Sequence, residues 1–338
     1  MIIPLRIVFM GTPDFAASIL RAVAAWEGGP VEAAYAQPDR PAGRGKKLKA
    51  PATKEAALEL GIPVYQPLNF KTDDAVRTLR DLAPDVLVVA AYGLLLPQCV
   101  LDIPRCGAYN VHASLLPRHR GAAPIQRALM EGDAVTGVTI MRMEAGLDTG
   151  PMLLQQAVSI EPDDTAGTLF EVLAEHGAKL MVGALGMVAE QRAAFIPQTD
   201  DMATYAPKIS PDEERIDWSL PARAVHNRIR GLTPLPGART VLHIPGRDPL
   251  PLRVEPGFPL EDASASPLIT ENMAPGTVAG FDGEALIVAC GQGAYRLTRL
   301  RPAGKPGMSA AEFRNGRWRD LPLPYGTLTP DDAPVRRG

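Results

Sequence analysis

Asn110, His112 and Asp148 are the residues of this chain best suited to shared chemistry. The first two belong to the run Asn-Val-His-Ala-Ser-Leu-Leu-Pro-Arg-His-Arg-Gly at 110–121, the third to Gly-Leu-Asp-Thr-Gly at 146–150. In an extended segment, residues i and i+2 project to one face. The Asn110 amide and the His112 imidazole can therefore be aimed at one substrate atom. A carboxylate such as Asp148 can hold the ring in one tautomer or favour its charged form. No serine or cysteine of the cluster is an obvious nucleophile. The substrates are thus expected to bring both nucleophile and electrophile, while the protein manages charge and protons. The remaining histidines, His119, His176, His226 and His243, lack HxxxH or HxH spacing, and no metal site is expected.

The chain has 338 residues, 46% hydrophobic and 22% charged, enough to bury cores in two domains. A net charge of −3 excludes a uniformly basic nucleic-acid coat, so any nucleic-acid contact must be local. Cys99, Cys106 and Cys290 are odd in number and form no CxxC, which reads as reduced, buried thiols in the cytoplasm. Arg6 interrupts the apolar start, and a Gly-Thr-Pro turn follows at 11–13. That pattern suits a first core strand better than a signal peptide. No apolar run is expected to reach the ~18 residues of a membrane span.

Strand and helix patterns alternate through the first half. Strands are expected at Leu5–Met10, Val31–Ala36, Asp85–Ala91, Val135–Met143 and Met152–Ile160. Helices are expected at Phe15–Trp26, Pro51–Leu60, Thr72–Leu82 (Thr72 as its cap) and from Thr165 to about Arg192. This alternation predicts a mainly parallel α/β sheet with ligands beyond the carboxyl ends of its strands. Domain one is assigned to 1–196, a polar, proline-containing linker to 197–211, a small β-barrel-like domain to 212–327 and a frayed tail to 328–338. Short strands are expected at Arg239–Ile244, Gly276–Val278, Ala285–Ala289 and Ala294–Leu300, with a flexible insertion at Pro256–Pro275.

Gly11-Thr-Pro-Asp14 lacks the GxGxxG spacing that a dinucleotide-binding turn requires. It reads as a tight strand-to-helix turn or a ligand-lining one. Residues 40–49 carry five basic residues and no acidic one, among two glycines and a proline. That composition suits a solvated loop or a mobile arm gripping a phosphate backbone, with Arg44, Lys46 and Lys47 as contacts. Residues 291–319 carry seven basic residues against Glu312 alone. Two local basic stretches, one per domain, fit a nucleic-acid partner that spans both.

At this point the chain resembles the methionyl-tRNA formyltransferases, a branch of the folate-dependent formyltransferases. Phe9-Met-Gly-Thr-Pro-Asp-Phe15, Gln37–Lys47, Asn110–Pro117, Gly121–Gln126 and Gly146–Gly150 carry the likeness. So do Thr204–Ile209, Ile216-Asp-Trp218 and Arg228–Pro234. The trio with Ser-Leu-Leu-Pro is shared by several folate formyltransferases, while the basic loop and second domain narrow the likeness to the tRNA branch. The insertion near 256–275 and the terminal tail depart from the family pattern.

The resemblance implies a Rossmann-like catalytic domain and an OB-like C-terminal barrel. It implies formyl transfer from 10-formyltetrahydrofolate, a co-substrate, to the α-amine of methionyl initiator tRNA, with no metal and no obligate protein partner. Asn110 and protonated His112 would stabilise the oxyanion, and Asp148 would support His112 and relay a proton. Ser114, Leu115, Leu116 and Pro117 would form part of the folate wall, with backbone contacts from Tyr92, Gly93 and Leu94. Phe15 would lie near the methionine side chain or simply in the core. Three alternatives stay open: a sugar-nucleotide or glycinamide formyltransferase, a nucleotide-dependent oxidoreductase, and a non-catalytic tRNA-binding module.

Overall fold

The computed structural model describes residues 4–42, 47–262, 266–270, 272–317 and 326–330. Its first part runs β1 (Ile7–Gly11), α1 (Asp14–Ala24), β2 (Val31–Tyr35), β3 (Arg40–Ala42), β4 (Lys47–Lys49), α2 (Ala52–Glu59), β5 (Val64–Tyr65) and α3 (Asp73–Asp81). It continues with β6 (Val86–Ala90), α4 (Gln98–Leu101), β7 (Ala108–His112), α5 (Pro124–Glu131), β8 (Val135–Arg142), β9 (Met152–Ser159) and α6 (Ala166–Ala189).

These strands form one seven-stranded sheet in the order β5-β2-β1-β6-β7-β8-β9. The pairings from β5 to β7 are parallel, and β8 and β9 are antiparallel additions. Val86–Ala90 is apolar throughout because β6 is buried on both faces. The chain leaves β1 toward β2 on one side and returns as β6 on the other. The carboxyl ends of β1 and β6 therefore flank a switch point, where a ligand crevice opens. Thr12 Oγ1 donates to the Tyr92 carbonyl at 2.8 Å and ties these two ends together.

Local sequence explains several boundaries. A Cβ at Gly11 would lie 2.5 Å from Ala16 Cβ and 3.0 Å from the Ala90 oxygen, so the glycine lets β1, β6 and α1 meet closely. Thr165 caps α6 through a capping box with Thr168. Thr72 precedes α3 as expected, yet its side chain makes no capping hydrogen bond. Contrary to the sequence expectation, α6 is long and apolar enough to cross a membrane; half of its apolar window is buried, in the core that includes α1 residues.

The second part runs α7 (Ala222–Leu232), β10 (Ala238–His243), β11 (Leu250–Val254), β12 (Phe258–Leu260), β13 (Thr277–Asp282), β14 (Ala285–Ala289), β15 (Ala294–Leu297), β16 (Arg299–Pro302), β17 (Met308–Ser309), α8 (Ala310–Arg317) and β18 (Gly326–Thr329). Its strands form a nine-stranded antiparallel sheet, β12-β15-β14-β13-β18-β10-β11-β16-β17, and no pairing joins β12 to β17 among the described residues.

Three expectations are corrected here. The single strand foreseen at Ala294–Leu300 breaks at Thr298, because β15 pairs with β14 while β16 pairs with β11. Within the insertion, Phe258–Leu260 is strand β12, paired with β15. Residues 328 and 329, assigned to a frayed tail, belong to β18 and are paired with β10. Residues 331–338 of that tail lie outside the described residues.

The foreseen linker is stitched to the first part of the chain. Arg120 and Ala206 exchange backbone contacts through the Ala206 N–H at 2.7 Å, and Arg120 N–H donates to the Thr204 carbonyl at 2.8 Å. The Arg127 guanidinium on α5 holds the Glu213 carboxylate, one of the contacts being 3.0 Å.

Candidate active site

Strand β7 presents Asn110 and His112 on one face. They lie opposite Met141 and Thr139 of β8. The loop after β8 carries Asp148 back over that face. Asp148 Oδ1 lies 3.5 Å from Asn110 Nδ2, and Asp148 Oδ2 lies 3.6 Å from His112 Nδ1. Gly121 N–H also donates to Oδ2, at 2.8 Å. The three residues singled out for chemistry are thus brought to one point.

His112 is buried, and its Nε2 lies 2.9 Å from the His119 carbonyl. A carbonyl only accepts, so Nε2 carries a hydrogen. A hydrogen on Nδ1, the edge facing Asp148, then exists only in the charged ring. The geometry therefore assigns the Nδ1 edge to the site and the Nε2 edge to anchoring.

The trio lines a cavity of about 500 Å³. Tyr92, Gly93 and Leu94 line it as well. The Tyr92 carbonyl is already an acceptor for Thr12 and Gln37, and burial pushes its phenol well above the usual tyrosine range. Ser114, Leu115, Leu116 and Pro117 do not line this cavity. Ser114 Oγ donates to the Arg118 carbonyl at 2.6 Å, and Leu116 N–H donates to Thr139 Oγ1 at 3.1 Å. These bonds turn the segment toward β8, where it supports the site from behind. Met141, Met143, Glu144, Leu147 and Phe170 complete the lining, and no site role had been given to any of them. Phe15 also lines the cavity, packed edge-on against Phe170 at 6.4 Å.

A second cavity of about 550 Å³ shares Ala91, Tyr92 and Gly93 with the first. Arg40, Lys49 and Lys208, against Asp14, give it a net basic lining. Lys208 falls in the Thr204–Ile209 motif, where no role had been assigned to it. Arg40 on β3 and Lys49 on β4 bring this ribbon to the cavity. Lys47 is exposed on β4, whereas Arg44 and Lys46 lie outside the described residues. In the C-terminal basic stretch, Arg299 pairs with Glu255 at 3.0 Å and Arg296 with Asp282 at 3.7 Å, which neutralises part of its charge.

Elsewhere, His119, Glu131 and Asp133 come together closely enough to ligate a cation. The Asp133 oxygens are already taken by Arg118 at 2.7 Å and by the His119 ring at 2.7 Å, so the group is knit as an ion-pair cluster. The three cysteines are free, and Cys99 is exposed, which corrects the expectation of buried thiols. Burial pushes the Cys290 thiol up to about 12, so it offers no thiolate.

Comparison with known proteins decides the family. The Formyl transferase family matches residues 5–185, and its C-terminal domain family matches residues 208–317. The chain belongs to the formyltransferase family. A relative from Nitratidesulfovibrio vulgaris (strain DP4), named methionyl-tRNA formyltransferase, is 48% identical over 310 residues, 92% of each chain. Another of that name, from Thiobacillus denitrificans, is 49% identical over 315 residues, 93% of this chain and 97% of its own. In fold, this formyltransferase is similar to HypX from Aquifex aeolicus, solved in complex with tetrahydrofolic acid. The TM-score is 0.59 at 16% identity, covering 92% of this chain and 47% of that one, so the chain spans about half of HypX.

Proposed function

We propose that this formyltransferase moves the formyl group of 10-formyltetrahydrofolate to the α-amino group of methionyl initiator tRNA. One observation carries the reading: the Asp148 carboxylate sits between Asn110 and His112 on a cavity that adjoins a second, basic one. The names of the 48–49% identical relatives support it. The first cavity suits the folate and the formyl group, and the basic one suits the phosphate-bearing end of an aminoacylated tRNA. The aromatic pair Phe15 and Phe170 with Met141 offers an apolar wall for a methionine side chain.

In this reading the amine nitrogen attacks the formyl carbon and an oxyanion develops on the formyl oxygen. The Asn110 amide and the Nδ1 edge of charged His112 donate to it. Asp148 accepts the proton that the amine loses. Collapse of the oxyanion breaks the bond to the folate nitrogen, which takes a proton as it leaves. No covalent enzyme intermediate is required. Lys47 and the basic loop add tRNA phosphate contacts, and the reading implies a cytoplasmic enzyme of translation initiation.

The test is acceptor choice. With labelled 10-formyltetrahydrofolate, the enzyme is offered methionyl initiator tRNA, an aminosugar nucleotide and glycinamide ribonucleotide in parallel. Label on the tRNA alone supports the reading; label on either small amine, with the tRNA ignored, overturns it.

A further inference from the structure

Asp148 is held in the left-handed backbone region, at φ +52. Such a conformation is strained and persists only when its surroundings over-determine it. A side chain from the inter-domain segment supplies that constraint. The Gln198 amide donates one N–H to the Asp148 carbonyl at 2.8 Å and the other to the Gly150 carbonyl at 2.7 Å. Its oxygen accepts from Arg120 Nε at 3.0 Å. Arginine only donates, so the amide cannot be turned over without losing all three bonds. Arg120 is itself 2% exposed and ion-paired with Asp200 at 2.9 Å.

The backbone around Arg120 touches the other half of the site. His119 and Gly121, its two neighbours, hold His112 Nε2 and Asp148 Oδ2 respectively. Thr204 fixes this backbone, its hydroxyl accepting from His119 N–H at 2.9 Å. Ile196 and Met152 exchange two backbone hydrogen bonds at 2.8 Å, which brings Gln198 beside the 146–150 loop.

We infer that Gln198, oriented by Arg120, is a positioning residue for formyl transfer, fixing where the Asp148 carboxylate stands between Asn110 and His112. The segment between the domains thereby completes the active site. This inference rests on the role given to Asp148 above. Gln198 does not line the cavity, so its loss should leave substrate binding alone. A displacement of about 1 Å in a reacting group costs on the order of 10²-fold in rate.

The experiment uses full-length Gln198→Glu, Gln198→Met and Asp148→Asn, with kcat, both KM values and the thermal midpoint measured for each. Gln198→Glu keeps the side chain's size but turns an oxygen toward two carbonyl oxygens, and Gln198→Met removes the donors without adding charge. Both should lose roughly tenfold or more in kcat, with each KM within about twofold, while a lowered thermal midpoint still leaves the variants folded at the assay temperature. A purely structural role predicts a normal kcat for Gln198→Glu. Wild-type kcat in either folded Gln198 variant, with Asp148→Asn inactive, overturns the positioning role alone. Wild-type kcat in Asp148→Asn overturns the reading of the site beneath it.

Discussion

His112 Nδ1 stands 3.6 Å from Asp148 Oδ2, while the opposite ring nitrogen is committed to the His119 carbonyl. The ring therefore has one orientation and one free edge. Asn110 Nδ2 approaches the other oxygen of the same carboxylate, at 3.5 Å. Donors and acceptor converge where an amine and a formyl oxygen would have to meet.

Asn110 is expected to act on the oxyanion and not on the bound folate. Asn110→Ala should lower kcat by about 10²–10³ while folate affinity, measured by equilibrium titration, stays close to that of the parent. A near-normal kcat would remove Asn110 from the mechanism.

Lys208 and Lys49 line the basic cavity that adjoins the trio. If they meet phosphates, the KM for tRNA must rise steeply with salt. Lys208→Ala should weaken tRNA binding and reduce the slope of log K against log salt by about one. An unchanged slope would assign these lysines to the surface.

Much of this arrangement is legible in sequence. Val86–Ala90 reads as a buried central strand because no polar residue breaks its apolar run, and the period-2 rule puts Asn110 and His112 on one face. The hidden parts depend on distant partners. Ser114–Pro117 turns away from the cavity because Thr139, on a later strand, captures the Leu116 N–H. Gln198 carries no local signal, since its partners lie 48 and 50 residues earlier in the 146–150 loop. Strand β18 is hidden because its partner β10 is distant in sequence, with Leu242 opposite Leu328, and its short run gives no period to follow.

Gly121 has φ +121, and a Cβ there would lie 2.8 Å from the Ala206 oxygen. Gly121→Ala should cost about 1–3 kcal/mol in denaturant unfolding. It should also lower kcat, because the Gly121 N–H holds Asp148 Oδ2. An alanine variant with parental stability would show that this backbone is not constrained.

The Glu213 carboxyl is held down from 4.5 to about 2, chiefly by the hydrogen bond from Arg127, with Ser210 N–H also donating. Its folded value lies below its unfolded value. The stabilisation is therefore complete above about pH 4.5 and is lost as pH falls toward 2. Glu213→Gln should be less stable than the parent at neutral pH, with the gap closing through that window. Parallel stability curves from pH 7 to 2 would contradict the coupling of α5 to the start of the second domain.

The most direct measurement is formyl transfer from labelled 10-formyltetrahydrofolate to methionine-charged initiator tRNA, with charged elongator tRNA beside it. The account predicts labelled N-formylmethionyl initiator tRNA and little or no label on the elongator, with both signals lost in Asp148→Asn. Equal labelling of the two tRNAs would contradict initiator selection, and an undiminished signal in Asp148→Asn would contradict the chemistry assigned to this site.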